Sequence, residues 1–256
     1  MARKSAGADP IITLLSDFGL RDSYVAEMKL ALLRHVPRAT LIDVTHEIAP
    51  QDVLGASFQL ARAIAAADAG TYHLAVVDPG VGSTRRILVV RLARQTIICP
   101  DNGLITWPFL RAGQAAFYEL LLRQRNASNT FHGRDIMAPA LGMLAAGTTV
   151  SKITQFISDP KLLTMNFANP AERRGQIIHI DHFGNATTNI RLVEGHATVR
   201  IRRRNIGPIR RTYSDVQSGE ALALIGSAGL LEIAMRNGSA AKALRLKVGD
   251  EVKLVP

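Results

Sequence analysis

Four apolar segments each end in, or beside, an aspartate: "IITLLSD" at Asp17, "ATLIDVTH" at Asp43, "YHLAVVD" at Asp78 and "QTIICPD" at Asp101. One acid after a strand is ordinary capping or turn chemistry, and Asp22 can be read as the cap of a helix beginning at Ser23. Four in succession, with Gly19, Gly80, Gly82 and Gly103 close by, exceed what turns require. The first turn carries neither GxGxxG nor GxxxxGK[ST], so neither a dinucleotide nor a nucleoside triphosphate is indicated. Acids facing a ligand without such a phosphate cradle suit hydroxyl groups or a cation. The loop "VVDPGVGSTRR" is more pointed, because Asp78 and Arg85 stand at its two ends. One reading is a hairpin with a surface ion pair, contributing roughly 0 to 1 kcal/mol. The other is an active-site edge, where a guanidinium keeps the carboxylate ionised.

These residues need elements to hold them. Strand-like and helix-like segments alternate through the first two-thirds of the chain, with "DSYVAEMKLALLRHV" and "QDVLGASFQLARAIAAA" as the first two helices. That alternation predicts an α/β domain, a largely parallel sheet flanked by helices, over residues 1–165. In an open sheet of this kind the carboxyl ends of the strands form the ligand crevice. "RILVVRL" and "QTIICPD" read as two strands joined by a short turn, and "GRDIMAPALGMLAAG" as a helix that Pro139 breaks or kinks. After the polar connector "MNFANPAERRG" the texture changes to short strands with turns, and only "SAAKALR" looks helical. Residues 166–256 therefore predict a small antiparallel barrel or sandwich.

Composition sets the remaining bounds. The 256 residues are 47% hydrophobic and 20% charged, ordinary for a globular protein. No apolar run is long enough to span a bilayer, and the N-terminal residues lack the apolar core of a secretory signal. The lone Cys99 excludes an intramolecular disulfide and a cysteine metal cluster. Together these predict a cytoplasmic protein. The net charge of +10 raises the question of nucleic acid, and "TVRIRRRNIGPIRR" is its densest basic stretch. Read as one strand, it puts Arg200, Arg202 and Arg204 on one face. No aromatic residues interleave to stack bases, so a solvated strand face is favoured over a nucleic-acid stripe.

Seven segments taken in order, "SDFGLRDSYVAEMK", "DVTHEIAPQDV", "VVDPGVGSTRR", "PDNGLIT", "TFHGRDIMAPA", "HIDHFGNATTNI" and "ALIGSAGLLEIA", resemble the S-adenosyl-L-methionine hydroxide adenosyltransferase family, relatives of fluorinase and chlorinase. The resemblance implies an α/β domain plus a small β-barrel that completes the substrate site. It implies a homotrimer with active sites between subunits. The implied reaction is hydrolysis of S-adenosyl-L-methionine to adenosine and methionine, without a metal or other cofactor.

By the same resemblance Asp78, Arg85 and His132 hold the attacking water or hydroxide. For His132 the alternative is a packed histidine at the start of a helix near Gly133. Asp17 matches an acceptor for the ribose hydroxyls. Asp22, Ser23 and Asp181 match positions around the methionine amino and carboxylate groups, and Asn185 matches an adenine contact. Ser227, Glu232 and the main chain near Met235 match the barrel-side wall. Phe183 packs on the substrate or belongs to the core. Two alternatives compete with hydrolysis: a halogenase-like enzyme, whose relatives lack the Asp–Arg–His set, and a non-catalytic protein that binds adenosine or nucleic acid.

Overall fold

The structure is a computed structural model that describes residues 9–122, 124–164, 173–191 and 197–255. The chain divides into two compact units, Met1–Leu163 and Thr164–Pro256. The expected junction between 165 and 166 lies outside the described residues, as does most of the polar connector.

The first unit runs β1 (Ile11–Ser16), α1 (Tyr24–Leu33), β2 (Thr40–Thr45), α2 (Val53–Ala66), β3 (Tyr72–Val76), β4 (Ile87–Leu92), β5 (Gln95–Pro100), α3 (Thr106–Ala112) and β6 (Ala116–Leu120). A π-helical turn (Gly133–Met137), α4 (Ala138–Ala145) and β7 (Thr154–Ile157) follow. Its sheet has the order β2-β1-β3-β5-β4-β6-β7. The β2, β1, β3 and β5 strands pair in parallel, while β5–β4, β4–β6 and β6–β7 are antiparallel. Side-chain alternation sorts the strands onto two buried faces. Leu14, Leu74, Val76, Val89 and Ile98 face α1 and α4, together with Met28, Leu32 and Leu141. Leu15, Ala75, Val77, Leu88, Val90 and Ile97 face the other way, together with Leu60 and Ile64 of α2.

This sheet order removes the hairpin reading of the Asp78–Arg85 loop. β3 and β4 are consecutive in sequence, but β5 is inserted between them, so the loop crosses over a strand instead of closing a ladder. The true hairpin is β4–β5, where Ala93 and Arg94 take the left-handed conformation (φ 48° and 63°) without a glycine. Pro139 does not end the helix: a π-helical turn runs straight into α4, and the change of hydrogen-bond pattern falls just before the proline, which has no N–H to donate.

The second unit comprises β8 (Arg174–Ile180), β9 (Ala186–Arg191), β10 (Thr198–Ile201), β11 (Arg204–Arg210), β12 (Ala221–Ile225), β13 (Leu230–Met235), α5 (Ala240–Leu244) and β14 (Glu251–Val255). The strands close into a barrel in the order β10-β11-β12-β13-β9-β8-β14. Neighbouring strands in the barrel are antiparallel except β11–β12, which run parallel. Ile177, Val199, Leu231, Ile233, Val252 and Leu254 fill its interior. The arginine stretch is not one strand. The chain reverses at Arg202 (φ 54°) and Arg203, pairing Ile201 with Arg204, so Arg200 and Arg204 lie on different strands.

Candidate active site

The register of the parallel half gathers the first group of residues. Ser16 of β1 pairs with Val76 of β3, so Asp17 and Asp78 emerge from the carboxyl ends of adjacent strands. Asn102, just past β5, donates from Nδ2 to the Val77 carbonyl at 2.8 Å and fixes the strand end that precedes Asp78. The loop then tightens through Val81 N–H to Asp78 C=O (3.2 Å) and Ser83 Oγ–H to Gly80 C=O (2.7 Å). At Gly82 the backbone is left-handed (φ +77°), and a Cβ there would fall 2.5 Å from the Asn129 carbonyl oxygen. Only glycine meets both conditions.

Folded in this way, the loop returns Arg85 onto Asp78. Nε donates to Oδ1 at 2.8 Å and Nη2 donates to Oδ2, a bidentate pair. The side chains are only 9% and 6% exposed, so this is not a solvated surface pair. The same Nη2 donates to His132 Nδ1 at 3.0 Å. His132 stands at the start of the π-helical turn, and Gly133 lets that turn settle on β3: a Cβ there would lie 3.1 Å from Val76 Cγ1. Burial and then the Arg85 charge hold the His132 ring below its usual pKa. An arginine can only donate, so Nδ1 must be the acceptor, and the neutral ring carries its proton on Nε2. The structure thus brings Asp78, Arg85 and His132 together, and the packed-cap reading of His132 gives way: its side chain makes no capping bond.

The other strand-end acids divide by partner. Asp101 accepts from Arg86 Nε at 2.8 Å and from the Lys161 amide at 2.7 Å, a structural tie. Asp43 accepts from Lys29 Nζ at 2.6 Å. Asp17 instead accepts, among the described residues, only a backbone N–H, that of Gln51, on Oδ2 at 2.9 Å. Asp22 does not cap α1. The N-cap is Ser23, whose hydroxyl donates to Glu27 Oε1 at 2.7 Å, and Asp22 lies exposed in the preceding turn. Beside them Phe18, Tyr24 and Phe131 form an edge-to-face cluster, with centroids 5.4 to 6.0 Å apart.

In the barrel unit the loop after β8 is a clamp. Asp181 Oδ1 accepts from the Asn185 amide at 2.8 Å and Oδ2 from Asn185 Nδ2 at 3.2 Å. Gly184 (φ +86°) packs against Ser239, where a Cβ would meet Oγ at 2.0 Å. The clamp pushes Phe183 outward to 72% exposure. Phe183, Asn185 and Met235 then line a cleft of about 700 Å³ together with Tyr213, Arg236 and Asn237. Glu232 sits behind that wall, accepting from Tyr213 Oη at 2.7 Å. Burial and this bond push the Tyr213 hydroxyl up to about 12, so it remains a donor. Ser227 lies exposed in the β12–β13 turn and Asp181 behind Asn185, so neither lines the cleft.

Tyr213 and Arg236 are cleft residues that sequence reasoning missed. The Thr212–Asp215 capping box was the available signal for the first, because it makes the turn that presents Tyr213.

The family models for the SAM hydroxide adenosyltransferase N-terminal and C-terminal domains match residues 12–154 and 175–253. The (R)-S-adenosyl-L-methionine hydrolase of Thermus thermophilus is 38% identical, with 95% of this chain and 99% of that protein covered. A fluorinase from Nocardia brasiliensis is 27% identical, with 97% of each chain covered. Among solved structures, an uncharacterized conserved protein from Thermotoga maritima superposes with a TM-score of 0.89 at 34% identity, covering 95% of this chain and 100% of that one. The chain belongs to the SAM hydroxide adenosyltransferase family.

Proposed function

We propose that the protein hydrolyses S-adenosyl-L-methionine to adenosine and L-methionine. The observation that carries this reading is the Asp78–Arg85–His132 set at the carboxyl end of the parallel strands, a nearly sealed acid–arginine pair bonded to a half-buried histidine. The sulfonium departs as a neutral thioether, so displacement at the ribose C5′ needs little help for the leaving group. The difficulty is the nucleophile, because water is poor at neutral pH. Arg85, held by Asp78, and His132 Nε2–H are donors suited to hydroxide, and they favour ionisation of a bound water whose proton leaves to solvent. The new C5′–O bond forms as C5′–S breaks, and sulfur keeps the bonding pair. His132 serves as a donor rather than as a base, because its acceptor nitrogen is occupied by Arg85.

In this reading Asp17 takes the ribose hydroxyls, and Asp22, Ser23 and Asp181 serve the methionine end. Asn185 serves the adenine, Phe183 packs on the substrate, and Ser227, Glu232 and the main chain near Met235 belong to the barrel-side wall. The donor chemistry needs no metal or other cofactor, and no group of three metal-ligating side chains gathers among the described residues. No described helix is long and apolar enough to cross a membrane. We place the protein in the cytoplasm, where its one buried free thiol is ordinary, and infer a homotrimer with active sites between subunits. Nucleic acid is not a partner in this reading.

The test is incubation with S-adenosyl-L-methionine in ¹⁸O-water, with products identified by chromatography and mass. Adenosine labelled at its 5′ oxygen, together with methionine, is expected. A 5′-halogenated nucleoside formed when chloride or fluoride is added would favour the halogenase reading. Absence of turnover with retained adenosine binding would favour a binding protein.

A further inference from the structure

Around the end of β1 runs a chain of four side chains that this reaction does not use. Lys29 on α1 donates from Nζ to Asp43 Oδ2 at 2.6 Å, and Asp43 Oδ1 lies 3.2 Å from His46 Nε2. The other ring nitrogen, Nδ1, is 2.7 Å from Ser16 Oγ. Ser16 is fully buried and His46 nearly so, so their polar atoms need partners. The Phe18 amide donates to Ser16 Oγ at 3.3 Å, and among the described residues the acceptor for the hydroxyl proton is His46 Nδ1. The ring is then protonated at Nε2 and donates to Asp43. The Ser16 hydroxyl and the His46 ring N–H thus each have an acceptor. Ser16, His46 and Asp43 resemble a nucleophile triad, but Ser16 is sealed from solvent and its proton is committed, so it is not a nucleophile.

What the chain grips is the turn that carries Asp17. His46 holds it twice, by its ring at Ser16 and by its carbonyl, which accepts from the Gly19 amide at 2.8 Å. Asp17 lies between these two points, and its Oδ2 is held by Gln51 from the stretch that follows His46. A carboxylate meant for a vicinal diol must keep its plane within narrow limits, and both ends of its turn are anchored here to one histidine. We propose that Lys29–Asp43–His46–Ser16 is a positioning relay that sets the Asp17–Gly19 turn for the ribose hydroxyls. The relay rests on the reading that Asp17 binds the ribose.

Four variants, Asp17→Ala, Ser16→Ala, Asp43→Ala and Asp43→Asn, test it by adenosine calorimetry and by KM and kcat on S-adenosyl-L-methionine. Asp17→Ala tests the ribose reading by itself. Asp43 is 40% exposed at its side chain, and circular dichroism of each variant establishes its fold before binding is read. Ser16→Ala and Asp43→Ala should raise the adenosine Kd and KM about tenfold, the loss expected of one bond in a buried network, with kcat nearly unchanged. Asp43→Asn keeps an acceptor for Nε2 and should bind close to wild type. If Asp17→Ala weakens adenosine while Asp43→Ala and Ser16→Ala bind normally, the relay is wrong and the ribose reading stands. If Asp17→Ala binds normally, both fall. Equal damage from Asp43→Ala and Asp43→Asn also overturns the relay, since the retained acceptor would then not matter.

Discussion

Arg85 and Arg86 are neighbours in sequence, and each finds an aspartate just beyond a strand end. Arg85 meets Asp78 after β3, and Arg86 meets Asp101 after β5. Both aspartate side chains are nearly sealed from water. The pairs differ in what else the guanidinium touches. Arg85 spends its remaining contact on His132, a titratable ring held neutral. Arg86 spends its own on the carboxylate and carbonyl of Asp159, which fasten the segment after β7. An acid–arginine pair is therefore not a functional signature by itself; the third partner decides. One pair ends on a titratable ring, to which the proposed function gives the nucleophile, and the other ends on a loop.

The strongest way to break this distinction is turnover. Arg85→Ala, Asp78→Ala and His132→Ala should each lower kcat by about 10²-fold or more, with a much smaller change in substrate binding, because they act on charge in the transition state. The double variant Arg85→Ala/His132→Ala should be little worse than the poorer single, since the groups work as a unit. Arg86→Ala should keep kcat near wild type. Steady-state kinetics decides, and comparable kcat losses at Arg85 and Arg86 would erase the difference.

Stability should show the opposite order of interest. Removing Arg86 leaves the Asp101 carboxylate, 4% exposed, with the Lys161 amide as the remaining partner of its side chain among the described residues. A lost hydrogen bond to a buried charge costs about 2 kcal/mol, read by urea unfolding, while the active enzyme keeps its rate. A wild-type midpoint for Arg86→Ala would mean that the latch carries no load.

Much of this organisation is legible in the residues. Strand–helix alternation, the barrel texture, and Asp78 and Arg85 as the ends of one loop can be read without coordinates. The insertion of β5 between β3 and β4 cannot, because pairing between distant strands leaves no local mark, and it is this that rules out a hairpin. The reversal at Arg202–Arg203 escapes for a different reason: arginine carries no turn signal, and the left-handed φ is imposed by the pairing of Ile201 with Arg204. His46 was similarly silent. Its part depends on β1 lying beside β2, where Leu14 pairs with Asp43 and the register slips at Leu15.

Titration of His132 sharpens the Arg85–Arg86 comparison further. Burial comes first and the Arg85 charge second among the causes that hold its pKa below 6.5. A depressed histidine stays neutral until the pH falls through its folded value, so the His132 ring should take up its proton only below pH 6.5. In Arg85→Ala the ring, followed by NMR, should titrate closer to 6.5, and in Arg86→Ala it should not move. An unchanged titration in Arg85→Ala would remove the electrostatic link between the two side chains.

The smallest effect belongs to Asp159, at the far end of the Arg86 contacts. Its side chain is 76% exposed, and its Oδ1 accepts from Arg86 Nη1 at 2.8 Å. The Asp159 carbonyl also accepts from Arg86 Nη2 at 2.7 Å, and Asp159→Ala keeps that backbone acceptor. An ion pair to so exposed a carboxylate contributes little, because water solvates both charges and salt competes for them. Asp159→Ala should therefore melt with wild-type protein in ordinary buffer, fall slightly below it only at low salt, and turn over at the wild-type rate. Thermal melts at two salt concentrations and one kinetic measurement suffice. If turnover fell with the surface carboxylate, the Arg86 contacts would reach the reacting centre, and the line drawn between the two arginines would be in the wrong place.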